Sequence, residues 1–177
     1  MHETVTPPEA LDICKNSPHG FQWLDVRSEG EFEKGQLPHS LNIPILNNDH
    51  RHQVGLAYKT KGQEFAIELG HKLVDPLKNQ LLKNWQKVLE HQQPAFVFCW
   101  RGGLRSKMTQ QWIKESGHTA TLVLGGYKAI RNILLEQLSN LPPLLILSGQ
   151  TGSHKTVLLN DLHSTSTIDL EGLANHR

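Results

Sequence analysis

Ala95-Phe96-Val97-Phe98-Cys99-Trp100-Arg101-Gly102-Gly103-Leu104-Arg105-Ser106 decides how the rest of the chain is read. The apolar run Ala95 to Phe98, bounded by Pro94 and by a glycine loop, predicts a short central parallel strand. Beyond the loop, Ser106 to Glu115 predicts a helix that ends at Gly117. A cysteine at the C-terminal end of a parallel strand, just ahead of a helix, stands where open α/β sheets place their ligands. Gly102 and Gly103 let backbone N–H groups turn inward as an anion cradle, completed by Trp100, Leu104 and Ser106, and the helix N-terminus adds its positive dipole end. At least one of Arg101 and Arg105 is expected to reach that cradle. All of this favours the anion, so Cys99 reads as a reactive thiolate that accepts a sulfane sulfur or selenium atom, with Arg101 and Arg105 as catalytic partners. Cys14 lacks such surroundings and reads as a buried structural cysteine.

Outward from this stretch, strands and helices alternate. Pro8 to Lys15 predicts an opening helix, Phe21 to Val26 a buried strand, Ser28 to Lys34 a short helix or turn, and Leu41 to Ile43 a second strand. Asp49 to about His91 is helical in pattern, broken near Gly70 and at Asp75-Pro76. Thr121 to Leu124 predicts another strand, Gly125-Gly126 a turn, and Tyr127 to Leu138 a helix. Such alternation argues for an α/β domain with a mainly parallel central sheet flanked by helices over residues 1–140. Trp85 and Trp112 sit at helical positions with apolar neighbours and read as core. Trp100, inside the loop, is placed to wall a pocket.

Pro142-Pro143 marks a boundary, and residues 141–177 read as the start of a second α/β domain. Leu144 to Leu147 predicts a strand, the helix after the next loop runs through Leu162, and Thr167 to Leu170 is a candidate next strand. The loop carries Gly149, Gly152, Ser153, Lys155 and Thr156 in the order of a phosphate-binding P-loop. His154 stands where that motif has its last glycine, whose missing Cβ lets backbone approach phosphate. A plain polar turn accounts for the same residues, so phosphate binding here is doubtful.

The bulk numbers bound the setting. The chain has 177 residues, and 18 Lys and Arg against 17 Asp and Glu leave a formal charge of +1, so no acidic or basic excess announces a partner. Two cysteines make no disulfide framework and lack metal-ligand spacing. The N-terminus has no signal-peptide pattern and no apolar run is long enough to span a membrane, so a cytoplasmic protein without membrane contact is expected. His50, Arg51, His52, Lys59 and Lys61 are candidates for phosphate contacts to a nucleic acid, although a solvated helix face explains them equally.

Leu24-Asp25-Val26-Arg27-Ser28-Glu29-Gly30-Glu31-Phe32, followed by Gly35-Gln36-Leu37-Pro38-His39-Ser40-Leu41-Asn42-Ile43-Pro44, resembles the entry motif of rhodanese-homology domains. In that fold Asp25, Arg27 and Glu31 are expected to form a partly buried polar network supporting the loop. Five residues separate Cys99 from Arg105, one more than in many simple rhodaneses, and the wider cradle suits a tetrahedral anion. The same spacing occurs in cysteine phosphatases, but Phe98 stands where those carry His.

With Cys99-Trp100-Arg101-Gly102-Gly103-Leu104-Arg105-Ser106, Gly125-Gly126-Tyr127-Lys128-Ala129-Ile130-Arg131 and the loop at 149–156, the chain resembles the tRNA 2-selenouridine synthases. Arg51-His52-Gln53-Val54-Gly55 with Tyr58-Lys59 and Gly62, and Asp169 to Arg177, carry the resemblance further. It implies replacement of sulfur in wobble 2-thiouridine by selenium from selenophosphate, through a geranylated intermediate made from geranyl diphosphate. Cys99 would carry selenium or sulfur, or assist its delivery. Implied partners are tRNA and an enzyme supplying selenophosphate. No tightly bound cofactor is expected, with Mg²⁺ possible only at an intact P-loop. Compared with the family the chain reads as cut short within its second domain. The alternatives are a sulfurtransferase using thiosulfate or a protein persulfide, and an inactive fragment serving as a persulfide carrier.

Overall fold

The computed structural model describes residues 3–17, 20–90, 94–150, 152–162 and 167–169. The chain divides into two compact units, Met1–Ser139 and Asn140–Arg177.

The first unit holds β1 (Thr4–Val5), α1 (Pro7–Lys15), β2 (Gln22–Asp25), α2 (Glu29–Glu33), β3 (Ser40–Asn42), α3 (Asn48–Lys61), α4 (Gln63–Val74), a 3₁₀ turn at Asp75–Leu77, α5 (Lys78–Leu89), β4 (Ala95–Phe98), α6 (Leu104–Glu115), β5 (Thr121–Val123) and α7 (Gly126–Ser139). The sheet order is β1-β5-β4-β2-β3, with every pairing parallel. This is the flanked parallel sheet that the alternating pattern implies. The central strand is β4, in register with β2 from Gln22↔Ala95 to Asp25↔Phe98.

Residues alternate across a strand, so the inner strands β2, β4 and β5 feed two cores. Leu24, Val26, Ala95, Val97, Cys99 and Leu122 pack on one face with Trp85, Trp112 and Ile113. Trp23, Phe96, Phe98 and Val123 pack on the other with Ala10, Tyr127 and Ile130. Both tryptophans read as core are buried, with ring centroids 6.4 Å apart, and Trp85 Nε1 donates to the Ile43 carbonyl at 3.1 Å. Cys99 continues the Ala95–Val97 series, and that phase turns its side chain toward the α5–α6 side.

Several expectations need correction. The long helical stretch breaks at Gly62, whose φ of 90° ends α3, and α4 runs unbroken through Gly70. The Asp75-Pro76 break is present as the 3₁₀ turn. Helix α6 begins at Leu104, so Gly103 is its N-cap and Arg105 lies in its first turn. The edge strand β1 had no counterpart in the sequence reading.

In the second unit, Leu144 to Leu147 is not a strand, and Leu145 and Ile146 are strongly exposed. A strand is a pairing, and among the described residues of this unit no other segment pairs with it. The one helix described is α8 (Lys155–Asp161). Thr167 to Asp169 forms no strand, and Leu170 lies outside the described residues. Among the described residues no helix is long and apolar enough to cross a membrane.

Candidate active site

The loop 99–103 is seated on the turn that starts α7. Tyr127 N donates to the Cys99 carbonyl at 2.9 Å and Lys128 N to the Trp100 carbonyl at 3.0 Å. Gly126 has φ of 60°, and a Cβ there would stand 2.3 Å from the Cys99 oxygen and 2.5 Å from the Gly102 nitrogen. Two backbone turns therefore touch with no room for a side chain between them, which is the physical content of Gly125-Gly126.

Cys99 is 3% exposed. Ser106 Oγ lies 3.2 Å from its Sγ and 3.2 Å from the Gly103 carbonyl, which ties the sulfur to the first turn of α6. Trp100 is 37% exposed, and its ring leans on Tyr127 with centroids 5.6 Å apart. Tyr127 in turn caps Arg27, whose guanidinium carbon lies 3.8 Å from the Tyr127 ring centre and 5.8 Å from that of Trp100. The loop wall thus rests on a buried cation.

That cation is fully paired. Arg27 and Asp25 are both fully buried and meet at 2.6 Å, with a second contact from Arg27 Nε at 2.9 Å. Arg27 also donates to the Glu31 and Gly35 carbonyls at 3.1 and 2.8 Å. Burial pushes the Asp25 carboxyl up, and the Arg27 guanidinium opposes it.

Asp25, Arg27 and Glu31 do not share one network of side chains. The carboxylate of Glu31 turns to a second cluster, accepting from Arg105 at 2.5 and 3.1 Å and from Ser28 N at 3.1 Å, with Arg51 Nε 4.0 Å away. Burial works against the Glu31 charge, but Arg105, Ser28 and Arg51 outweigh it and hold the carboxyl below its ordinary value. Burial likewise disfavours the Arg105 cation, while Glu31, Cys99 and Asp25 more than restore it. Of the two loop arginines, Arg105 is the one held at the site, by the Glu31 carboxylate. Arg101 is exposed and makes no ion pair among the described residues.

Cys14 is a different case. Burial pushes its thiol up to about 12, and it packs beside the second core.

Of the basic residues on α3, Arg51, His52 and Lys59 line a cleft of about 550 Å³ that Leu104, Arg105 and Met108 close from α6. Lys61 lies over the Phe65 ring at 4.2 Å. The sequence reading passed over this cleft. Its signal was there in Gly55 and Gly70, which sit inside helices where glycine is unfavourable.

In the second unit, Lys155 Nζ donates to the Gly149 and Gln150 carbonyls at 2.9 Å each and lies 3.4 Å from Ser153 Oγ. Gly152 has φ of 86°, and His154 is left-handed at φ 59°. Thr156 follows Lys155 in the first turn of α8. The lysine is folded over its own loop.

The family model of the rhodanese-like domain matches residues 6–133, and that of the tRNA 2-selenouridine synthase AAA domain matches residues 142–177. A tRNA 2-selenouridine synthase of Marinobacter nauticus is 48% identical over 174 residues, covering 96% of this chain and 47% of that protein. That of Shewanella sediminis is 45% identical over 181 residues, covering 100% of this chain and 48% of that protein. The chain spans about half the length of the curated relatives it matches. Among solved structures, the N-terminal domain of a candidate ATP/GTP binding protein from Clostridium difficile 630 aligns with a TM-score of 0.67 at 28% identity, covering 75% of this chain and 98% of that one.

Proposed function

Because the chain belongs to the rhodanese-like domain family, in the branch of the tRNA 2-selenouridine synthases, we propose that it works in replacing the sulfur of wobble 2-thiouridine in tRNA by selenium. The observation that carries this reading is Cys99, held at the end of β4 by the Ser106 hydroxyl and by the α7 turn, with Arg105 held at the site by Glu31.

The reaction divides into steps that balance. The thiouridine sulfur displaces diphosphate from geranyl diphosphate, forming a C–S bond as the C–O bond breaks. Selenium of selenophosphate then adds at C2 of the base, geranylthiolate leaves, and water cleaves the Se–P bond to give phosphate and the selenouridine. For this chain the cradle at 99–106 holds the tetrahedral selenophosphate and directs its selenium. Selenium in selenophosphate is already at the selenide level, so an S–Se bond to Cys99 would require expulsion of phosphite. Delivery is therefore the role we assign to Cys99 with that donor. With a donor of zero-valent sulfur or selenium, such as thiosulfate or a protein persulfide, the same thiolate carries the atom covalently. Its attack on the outer sulfur of thiosulfate forms the persulfide and releases sulfite.

The resemblance implies geranyl diphosphate and selenophosphate as co-substrates, tRNA as partner, an enzyme that supplies selenophosphate, and a cytoplasmic setting. Lys155 and Thr156 are the residues that would meet a phosphate and its Mg²⁺ in the second unit, once the lysine leaves the Gly149 and Gln150 carbonyls.

The test incubates the chain with selenophosphate and tRNA bearing S-geranyl-2-thiouridine, then measures nucleosides by mass. Selenouridine formed by the wild type and reduced to background in Cys99→Ala is the expected result. Its absence, with thiocyanate formed from thiosulfate and cyanide, would replace this reading by general sulfur transfer, which needs only the Cys99 loop.

A further inference from the structure

The cleft beside the thiol loop has a lining that the Cys99 chemistry does not use. It lies between α3 and α4, with the first turns of α6 forming its third side. Leu46, Val54, Ile67, Val74, Leu104 and Met108 make its apolar walls. Arg51, His52, Lys59, His71 and Arg105 are its basic groups and Tyr58 adds a phenol, with no carboxylate among the lining residues. Arg105 and Arg51 face Glu31, and His71 faces Asp75 at 3.5 Å, whereas Lys59 and His52 make no ion pair among the described residues.

Two glycines keep this space open. Gly55 in α3 and Gly70 in α4 each cost about 1 kcal/mol against alanine in a helix interior. Neither has a positive φ, and neither is needed for close packing. A Cβ on Gly55 would meet nothing within 4 Å, and one on Gly70 only Val54 Cγ2 at 4.0 Å. Helix stability is given up at two facing positions, and what results is room. At about 550 Å³ the cleft is of the size that takes small ligands.

We infer that this cleft binds the hydrocarbon chain of an anionic amphiphile: an acyclic apolar chain between α3 and α4, with its phosphate toward Lys59 and Arg105. The basic rim selects the anion and the apolar walls select the chain. Arg105 adjoins Ser106, whose hydroxyl touches the Cys99 sulfur, so the head of such a ligand lies beside the reactive loop. On the reading proposed above, from which only the chain's identity is taken, the ligand is the geranyl group. It arrives either on free diphosphate or already joined to the thiouridine nucleotide.

Binding is measured by calorimetry on the full 177-residue chain. The probes are geranyl diphosphate against inorganic diphosphate, and S-geranyl-2-thiouridine 5′-monophosphate against the ungeranylated nucleotide. At least one geranyl compound is expected to bind about tenfold more tightly than its chain-free counterpart, and whichever does identifies the source of the chain. Gly70→Leu and Gly55→Leu fill the cleft from opposite walls and are each expected to remove that tenfold difference, and Lys83→Ala, exposed on α5 and outside the cleft, to leave it intact. The inference is overturned if neither geranyl compound exceeds its counterpart, or if both leucine variants, folded by circular dichroism, bind like wild type. It is equally overturned if Lys83→Ala abolishes the difference, which would mean that the loss does not come from filling the cleft. Since no selenium is present, these outcomes are independent of whether the chain makes selenouridine.

Discussion

Arg105 donates from both terminal nitrogens to the two carboxylate oxygens of Glu31, at 2.5 and 3.1 Å, across 74 residues of sequence. The clamp joins the first turn of α6 to α2. It fixes the Arg105 guanidinium at the site, and it borders the cleft. Glu31 is accordingly a positioning residue for Arg105.

Replacing Glu31 by Gln keeps the size of the side chain and removes its charge, at an expected cost of about 2 kcal/mol near neutral pH. The sign of the pH effect follows from the lowered carboxyl. Its contribution is complete above the ordinary value of 4.5 and is lost as pH falls through the folded-state value. The stability gap between wild type and Glu31→Gln should therefore narrow as pH is lowered from neutral to about pH 4. Urea unfolding of both proteins across that range checks it, and a gap that stays constant would contradict the assignment.

Gly126→Ala and Gly103→Ala should separate sharply. A Cβ at Gly126 collides with the Cys99 carbonyl at 2.3 Å and needs a left-handed backbone, so a loss of about 2–4 kcal/mol is expected. At Gly103 the φ is −90° and a Cβ meets nothing within 4 Å, so the only expected cost is that of alanine in place of glycine at the N-cap of α6, about 1 kcal/mol or less. Thermal unfolding of the two variants decides this.

How legible the site was depended on the range of the interaction. Ala95 to Ser106 could be read because a short apolar run, a cysteine, two glycines and a helix are all local signals, and the core positions of Trp85 and Trp112 followed from helical spacing. Glu31 was assigned to Asp25 and Arg27 because it is near them in sequence. Its real partner comes from another strand–helix unit, and no local pattern marks it. Gly70 was read as punctuation although its helix runs on, because glycine signals either a break or a need for space and only the neighbours tell which. Thr4–Val5 shows no periodicity and is a strand through its pairing with β5 alone. Leu144 to Leu147 is the converse, an apolar run without a partner.

Cys14 should stay unmodified where Cys99 reacts. With its thiol pushed up to about 12, Cys14 remains protonated throughout the neutral range. Iodoacetamide at neutral pH should leave Cys14 unlabelled in the folded chain and label it in denaturant, read by peptide mass spectrometry. Labelling of native Cys14 at the rate of a free thiol would show that the burial assigned to it is wrong.

His154 occupies a backbone position suited to glycine. At φ 59° and ψ 25° it is left-handed, a conformation that costs an L-residue about 1–2 kcal/mol. It also directly precedes Lys155, the first residue of α8. His154→Gly removes the strain at the point where the helix starts, so α8 should open less often. A gain of about 1 kcal/mol corresponds to roughly fivefold slower amide exchange. Hydrogen–deuterium exchange of the α8 peptide in the two proteins measures it. Slowing confined to α8, with the β4 and α6 peptides unchanged, is the expected pattern. Unchanged or faster exchange in α8 would mean that the imidazole stabilises the turn by more than its backbone strain costs.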